Sequence, residues 1–236
     1  MKAHENYLEK IKNIMADIES DYDKSINDAA NIIADSIEAG GIIQAYGGGH
    51  SYGSALEIVE RAGGLIPSKM IKDPSMGLYE KVEGAAYYLT RRLRIEPNDC
   101  VVIISNSGRN PFQIDLAIFA KKSGVKLIVV GSREASKNLT SRHSSGKLLI
   151  DYADVFIDNH VGLGDASIKL DGLETKIAPT SSIAVATALN LLMINTVQKL
   201  ITRGVTPPIS ISGNLDNSEE HNLELGNRYR NRIFNY

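Results

Sequence analysis

Apolar side chains recur with helical spacing at the beginning of the chain. Within residues 5–38 they fall at Tyr7, Ile11, Ile14, Met15 and Ile18, and then at Ile26, Ala29, Ala30 and Ile33. This spacing places them on one face of an α-helix. The polar sequence ESDYDKS interrupts the pattern, and the pair Gly40-Gly41 ends it. We therefore predict two helices within residues 1–40, which pack on the core of the protein or on a partner subunit.

From residue 41 onward, short apolar runs alternate with longer segments of helical pattern. The runs that predict strands are 42–46, 65–71, 99–105, 125–131 and 153–159, and the segments that predict helices are 53–62, 78–93, 111–123 and 135–142. Continuously apolar strands separated by helices are typical of a parallel sheet that is covered on both faces. We predict an α/β fold: a three-layer αβα sandwich with a central, mostly parallel five-stranded sheet, similar to flavodoxin, within a domain that spans residues 41–203.

The pattern changes after the last predicted strand. Residues 160–179 are polar and predict a long loop, whereas 180–203 are apolar on nearly every face and predict a long buried helix. Residues 204–236 form a C-terminal segment that begins irregularly, with many Pro, Gly, Ser and Asn residues, and closes with a polar helix at about 217–232.

Composition narrows the class of protein. The 26 basic and 28 acidic residues give a net charge of −2, which argues against a general binder of nucleic acid or of anionic membranes. The single cysteine, Cys100, cannot form an intrachain disulfide, and this fits a reducing compartment. The N-terminal sequence MKAHENYLEK lacks the apolar region of a signal peptide, and no apolar run was expected to be long enough to span a bilayer. We expect a cytoplasmic protein.

Two predicted strands end in loops of small polar residues. Residues 47–51 read GGGHS, and residues 105–110 read SNSGRN before Pro111 opens a helix. Backbone N–H groups, hydroxyl groups and a helix N-terminus together make an anion site, for which phosphate is the common ligand. In an open parallel sheet, such ligands bind beyond the carboxyl ends of the strands. We therefore predict that the two loops are adjacent at one edge of the sheet and bind a phosphate group.

Two other interpretations of these loops stay open at this point. The first loop approaches the dinucleotide fingerprint G-x-G-x-x-G, but the third glycine position is Tyr52, and Gly53 comes one residue late. Asp73 stands about where that fingerprint expects an acidic residue. The second interpretation is that both loops are ordinary strand-to-helix turns with serine as a helix cap.

The two loops taken together resemble the SIS (sugar isomerase) domain family. The resemblance rests on the pattern G-x-G-x-S after the first strand and S-x-S-G after a middle strand, and it covers roughly residues 5–203. The family includes phosphoheptose isomerase, the isomerase domain of glucosamine-6-phosphate synthase, N-acetylmuramic acid 6-phosphate etherase and sugar-binding regulators. Small bacterial SIS proteins share stretches like those in 145–166 and 213–222.

This resemblance implies a substrate site. Ser51, Ser105 and Ser107 match the phosphate-binding hydroxyls of the family, and the residues after Pro179 match a hydroxyl motif that closes the sugar pocket. The predicted substrate-binding residues are Gly49, His50, Ser51, Ser105, Asn106, Ser107, Gly108, Asn110, Ser181 and Ser182.

Catalytic residues are harder to assign. Isomerisation needs a base that moves a proton between adjacent carbons, and the candidates are Glu57, Glu174 and His160. Glu57 and Glu60 lie one helical turn apart, but Glu57 with Arg61 also has the spacing of a simple surface ion pair.

Zinc is not expected, because the zinc-dependent phosphoheptose isomerases have His and Glu ligands where this chain has Glu57 and Arg61. We therefore expect no metal and no cofactor.

The sequence thus predicts a sugar-phosphate-binding protein of carbohydrate metabolism that assembles as a homodimer or tetramer. The expected activity is that of a phosphosugar isomerase, a deaminase or an etherase-like lyase. One alternative is a non-catalytic regulatory protein that binds a sugar phosphate. A dinucleotide-binding protein is the less favoured alternative.

Overall fold

A parallel sheet of five strands forms the centre of the molecule, as seen in a computed structural model that describes residues 2–59 and 61–234. The strands are β1 (Ile43–Gly47), β2 (Ser68–Met70), β3 (Cys100–Ile104), β4 (Lys126–Gly131) and β5 (Val155–Asp158). They lie in the order β2-β1-β3-β4-β5, and every pair is parallel. With helices on both faces, this arrangement confirms the predicted α/β sandwich.

The N-terminal helices and the long late helix cover one face of the sheet. These are α1 (Ala3–Ser20), α2 (Asn27–Glu38) and α7 (Ser181–Thr202), and a π-helical turn at Tyr22–Ile26 joins the first two. The turn coincides with the polar interruption in the sequence pattern, so the predicted division into two helices is confirmed. The buried face of α2, including Ile33 and Ala34, packs with Ala188 and Leu192 of α7 in one apolar core.

The opposite face of the sheet is covered by α4 (Ala86–Thr90) and α5 (Pro111–Lys122). A second apolar core forms there, in which the ring of Tyr46 stacks on that of Phe112 with centroids 5.6 Å apart. A short α3 (Ser51–Ala55) follows β1, and α6 (Arg133–Asn138) follows β4.

The predicted helix at 78–93 is wrong over most of its length. Only Ala86–Thr90 is α-helical, and the residues from 74 to 85 form a series of turns. Gly77 and Gly84 interrupt the apolar pattern and adopt positive φ angles of 88° and 82°, which end a right-handed helix. The segment therefore lies as a loop over the carboxyl edge of the sheet.

The predicted polar loop at 160–179 contains a small antiparallel ribbon, made of β6 (Ala166–Ile168) and β7 (Ile177–Pro179). The ribbon packs against α1, because Lys10 Nζ donates to Ser167 O at 2.7 Å and Tyr7 OH donates to Pro179 O at 3.0 Å. Strands of three residues with little apolar character give too weak a period to be recognised in a sequence.

Helix α7 is the one helix in the described part of the chain that is long and apolar enough to cross a membrane by length and composition. The expectation that no run reaches this length was therefore wrong. Half of its most apolar stretch is buried inside the protein. A core helix passes the same test, and the packing of α7 on α1 and α2 is that of a core helix.

The C-terminal segment returns to the amino edge of the sheet and ends in α8 (Ser218–Ile233). Arg232 near its end donates to both carboxylate oxygens of Asp99, at 2.7 and 2.9 Å, and to Glu96 at 2.6 Å. The Asp99 side chain is fully buried and also accepts from Ile42 N and Gln44 Nε2.

Candidate functional site

The two loops singled out in the sequence lie side by side. Strand β1 pairs directly with β3 in parallel, and Gly47 is in register with Ile104 at the carboxyl ends of the two strands. The prediction that the glycine loop (residues 47–51) and the serine loop (residues 105–110) share one edge of the sheet is therefore confirmed.

Glycine is required in the first loop because the chain folds tightly on itself there. A Cβ atom on Gly47 would lie 2.0 Å from Ser51 O, and one on Gly48 would lie 2.7 Å from Gln113 Nε2. Gly49 has a φ of +56°, which favours glycine. His50 is exposed, Ser51 is half-buried at the start of α3, and neither side chain has a hydrogen bond to the described residues.

The serine loop is held by its own first hydroxyl. Ser105 is buried, and its Oγ accepts a hydrogen bond from Gly108 N at 3.2 Å, with Gly108 at a φ of +59°. Asn106 Oδ1 accepts from Asn159 Nδ2 at 2.8 Å, which links the loop to the end of β5. Ser107 is half-buried, and its hydroxyl has no hydrogen bond within residues 2–59 and 61–234. The Ser107 hydroxyl is therefore free to donate and to accept, whereas Ser105 Oγ already accepts one hydrogen bond.

Helix α5 begins directly after the serine loop, and its N-terminus is not capped by a side chain. Asn110 occupies the N-cap position, where asparagine ordinarily accepts from the first backbone N–H groups. Here Asn110 Nδ2 donates instead to Glu80 Oε1 at 2.7 Å, and Asn110 Oδ1 accepts from Arg142 at 2.8 Å. The first free backbone N–H of the helix, that of Phe112, donates instead to the main-chain carbonyl of Glu80 at 3.3 Å.

Glu80 is a site residue that sequence reasoning did not find. It belongs to the loop after β2, and its Oε1 accepts from both Asn110 and Gln113 Nε2 at 2.7 Å. It also lies beside the glycine loop, since a Cβ on Gly48 would be 3.5 Å from Glu80 Oε1. No motif marks Glu80 in the sequence, because its partners are about thirty residues away along the chain.

Two buried polar atoms next to Glu80 have no hydrogen-bond partner. They are Tyr46 OH and Gln113 Oε1, and the former lies 3.2 Å from the position of a Cβ on Gly48. Burial, and after it the negative charges of Asp73 and Glu80, raises the pKa of Tyr46 well above its usual value. The phenol therefore keeps its proton. Buried polar groups of this kind ordinarily bind a water or a ligand.

Two arginines flank the serine loop without a carboxylate partner among the described residues. Arg109 Nε donates to Thr140 O at 2.9 Å, and Arg142 donates to Asn110. By contrast, Arg61, Arg133, Arg203 and Arg232 each form an ion pair with an acidic side chain. Neutral acceptors thus hold two guanidinium groups in place at the serine loop.

The structure places the three catalytic candidates away from this cluster. Glu57 forms an ion pair with Arg61 at 2.5 Å and accepts from Asn190 of α7. His160, two strands away, has its Nε2 at 2.9 Å from Asp21 Oδ2. Glu174 is exposed in the turn between β6 and β7. Glu60, the neighbour of Glu57, lies outside the described residues.

The hydroxyl motif at the start of α7 is also separate from the loops. Ser181 Oγ donates to Asp165 Oδ2 at 2.6 Å, while Thr180 N and Ser181 N donate to Asp165 Oδ1. The N-terminus of α7 is thus already capped by a carboxylate of the chain itself. Ser182 is exposed on the outer face of the helix.

Asp73, the acidic residue considered for dinucleotide binding, forms hydrogen bonds within its own turn. Its carboxylate accepts from Ser75 N at 2.8 Å, Ser75 Oγ at 2.7 Å and Gly77 N at 2.9 Å. Within residues 2–59 and 61–234, no group of three or more His, Cys, Asp or Glu side chains could hold a metal ion.

The fold and the paired loops define a class of protein that the comparison of sequences confirms. The chain matches the SIS domain family over residues 6–132 and belongs to that family. Its relatives include a UPF0309 protein of Listeria monocytogenes, which is 46% identical over 97% of both chains. Another is a UPF0309 protein of Halalkalibacterium halodurans, 37% identical over 97% of this chain and 95% of the relative.

Solved structures with the same fold are more distant in sequence. A phosphoheptose isomerase from Francisella tularensis has a TM-score of 0.58 and 14% identity over 84% of this chain and all of that chain. A phosphoheptose isomerase from Neisseria gonorrhoeae has a TM-score of 0.52 and 14% identity, over 80% of this chain and 93% of that one. At this identity the likeness establishes the fold.

Proposed function

We propose that this protein binds a sugar phosphate and interconverts its aldose and ketose forms. The observation that carries the proposal is the serine loop with its two guanidinium groups, which precedes a helix N-terminus without a side-chain cap and lies beside the glycine loop at the carboxyl edge of the sheet. Hydroxyl groups, helix N-terminal amides and guanidinium groups are the donors that recognise a phosphate. The isomerase names of the structural relatives support the same class of ligand.

In this proposal the phosphate group lies at Ser105, Ser107 and the N-terminus of α5. Ser107 donates its free hydroxyl, and Arg142 and Arg109 supply positive charge against a dianion. The sugar then extends along the glycine loop, where the small residues at Gly48 and Gly49 leave the backbone accessible. His50 and Ser51 are the next polar side chains along that loop.

The test of the phosphate site is the substitution Ser107→Ala. A hydrogen bond to a charged group contributes roughly 1.5–3 kcal/mol, so we expect about a ten- to hundred-fold loss of affinity for the sugar phosphate. Binding is measured by calorimetry, after a thermal-shift screen of aldose and ketose phosphates with five to seven carbons has identified a ligand. Inorganic phosphate serves as a second probe.

The matched control is Ser123→Ala, which removes a hydroxyl from the opposite end of the same helix. Ser123 Oγ donates to Phe119 O, so its loss affects the C-terminus of α5 and should leave the affinity unchanged. Equal weakening for a sugar phosphate and for the corresponding free sugar would show that Ser107 is structural, and would contradict the phosphate site.

A second candidate function is binding without catalysis. It is favoured by the positions of Glu57, Glu174 and His160, whose side chains have no hydrogen bond to either loop among the described residues. A regulatory protein would bind a member of the same ligand panel tightly and return it unchanged. Product analysis by NMR after prolonged incubation distinguishes the two functions.

A further inference from the structure

We propose that Glu80 is the catalytic acid–base residue of this site, a role that rests on the isomerase activity proposed above. Glu80 differs from the other acidic candidates in its surroundings. Two neutral amides, from Asn110 and Gln113, hold its Oε1. Its Oε2 accepts no hydrogen bond from the part of the chain that the structure describes, and no cation lies within ion-pair distance there.

Those surroundings suit a general base. A base must be fixed in one orientation and must keep one oxygen free to take a proton. The two amide donors fix the carboxylate through Oε1 and leave Oε2 available. An arginine partner, such as the one Glu57 has, would hold the negative charge in an ion pair and reduce the basicity of the carboxylate.

The position of Glu80 suits the role too. Its Oε1 lies between the N-cap of α5, at Asn110, and Gly48 in the other loop. A sugar held by its phosphate at the serine loop and extended along the glycine loop passes this carboxylate. Tyr46 OH and Gln113 Oε1, both buried and unpaired, lie on the same side and can bind hydroxyl groups of the sugar.

The hydrogen bonds also connect the phosphate region to the base. Arg142 donates to Asn110 Oδ1, and Asn110 Nδ2 donates to Glu80 Oε1. Asn110 is therefore a positioning residue, which separates the positive charge of Arg142 from the carboxylate while fixing both. A direct contact between Arg142 and Glu80 would neutralise the base.

The conversion of the aldose to the ketose accounts for every proton and electron pair. Glu80 takes the proton from carbon 2 of the open-chain aldose, and the electron pair of that C–H bond forms the carbon–carbon double bond of an enediol. The carbonyl oxygen takes a proton from a water molecule as its π pair moves onto it, which leaves hydroxide. Glu80 then returns its proton to carbon 1, and the hydroxyl on carbon 2 gives its proton to that hydroxide as carbon 2 becomes the ketone, so the water is restored. No oxidant or further reactant is consumed.

The experiment measures proton exchange at carbon 2 in D2O by NMR, with the sugar phosphate identified in the thermal-shift screen. We expect Glu80→Gln to slow exchange at least about a hundred-fold, in line with the contribution of a general base, while affinity and melting temperature stay close to wild type. The acidic limb of the rate–pH profile should disappear as well, which a purely structural role would not cause. Glu224→Gln on α8, which breaks an exposed pair with Arg228, should change nothing.

Glu80→Asp gives a second measurement if Glu80→Gln fails to fold. It keeps the charge but withdraws the carboxylate by one methylene, so exchange should fall while the acidic limb is retained. Wild-type exchange rates in a folded Glu80 variant would overturn the assignment and leave the proposed function intact. A wild-type protein that binds a sugar phosphate without exchanging its proton would overturn both the role of Glu80 and the isomerase activity. Absence of any binding would overturn the phosphate site itself.

Discussion

At the scale of single residues, the glycine loop shows why residue size decides this site. Gly47 and Gly53 are six positions apart, yet only Gly47 lies against backbone. A Cβ there would be 2.0 Å from Ser51 O, whereas a Cβ on Gly53 in α3 would meet nothing within 4 Å. Substitution by alanine should therefore have opposite effects on stability at the two positions.

We expect Gly47→Ala to lower the free energy of unfolding by about 3 kcal/mol, the upper end of ordinary overpacking, and to weaken sugar-phosphate binding. Gly53→Ala should raise the free energy of unfolding by roughly 0.5–1 kcal/mol, because alanine favours a helix over glycine. Urea denaturation of both variants measures these changes. If Gly47→Ala left the free energy of unfolding unchanged, the loop would be able to rearrange and accommodate the added methyl group, which would contradict this prediction.

At the scale of elements, the C-terminal half of α8 depends on Arg232. This side chain connects the end of the helix to Asp99, whose buried carboxylate also supports β1 through Ile42 N and Gln44 Nε2. The N-terminal half is held separately, since the Asn222 side chain bonds to the backbone of residue 211.

Arg232→Ala should therefore lower the free energy of unfolding by about 3 kcal/mol, because it leaves a buried charge without its cation. The control is Arg228→Ala on the same helix, whose pair with Glu224 is exposed and is worth about 0.5 kcal/mol or less. Hydrogen exchange of α8 amides should also increase in Arg232→Ala alone. A stability equal to that of the control would show that other contacts hold the helix.

At the scale of the whole molecule, the outer side of α7 is the surface on which we expect self-association. Ile194 and Ile201 are 51% and 62% exposed on a helix whose other side is fully packed. Together with the nearly uniform apolar character of this helix, this supports the prediction of a homodimer or a larger homo-oligomer.

We expect light scattering at micromolar concentration to give at least twice the 25.7 kDa mass of the chain. Ile194→Glu should shift the mass toward the monomer, because an interface does not tolerate an unpaired buried charge. Leu223→Glu makes the same change at an exposed position on α8 and should leave the mass unchanged. A monomeric wild type would contradict the prediction.

The sequence by itself determined the fold class and the place of the glycine and serine loops. Both depend on local pattern: the alternation of apolar runs and helical segments predicts a parallel sheet, and consecutive small polar residues after a strand predict a loop at its carboxyl end. The residues 47–51 and 105–110 were found in this way. The elements within residues 78–93 and 160–179 could not be predicted in this way, because glycines and very short strands leave no clear periodicity of apolar residues.

Only the tertiary structure decided which acidic side chain joins the site. Strand β1 lies between β2 and β3, so the loop after β2 crosses the glycine loop and brings Glu80 to the start of α5. The same folding pairs Glu57 with Arg61 and His160 with Asp21, away from the loops. Sequence spacing indicated the pair of Glu57 with Arg61, which are four residues apart. It did not indicate the contacts of Glu80 or of His160, because the order of strands in the sheet, and not their order in the chain, sets which distant side chains meet.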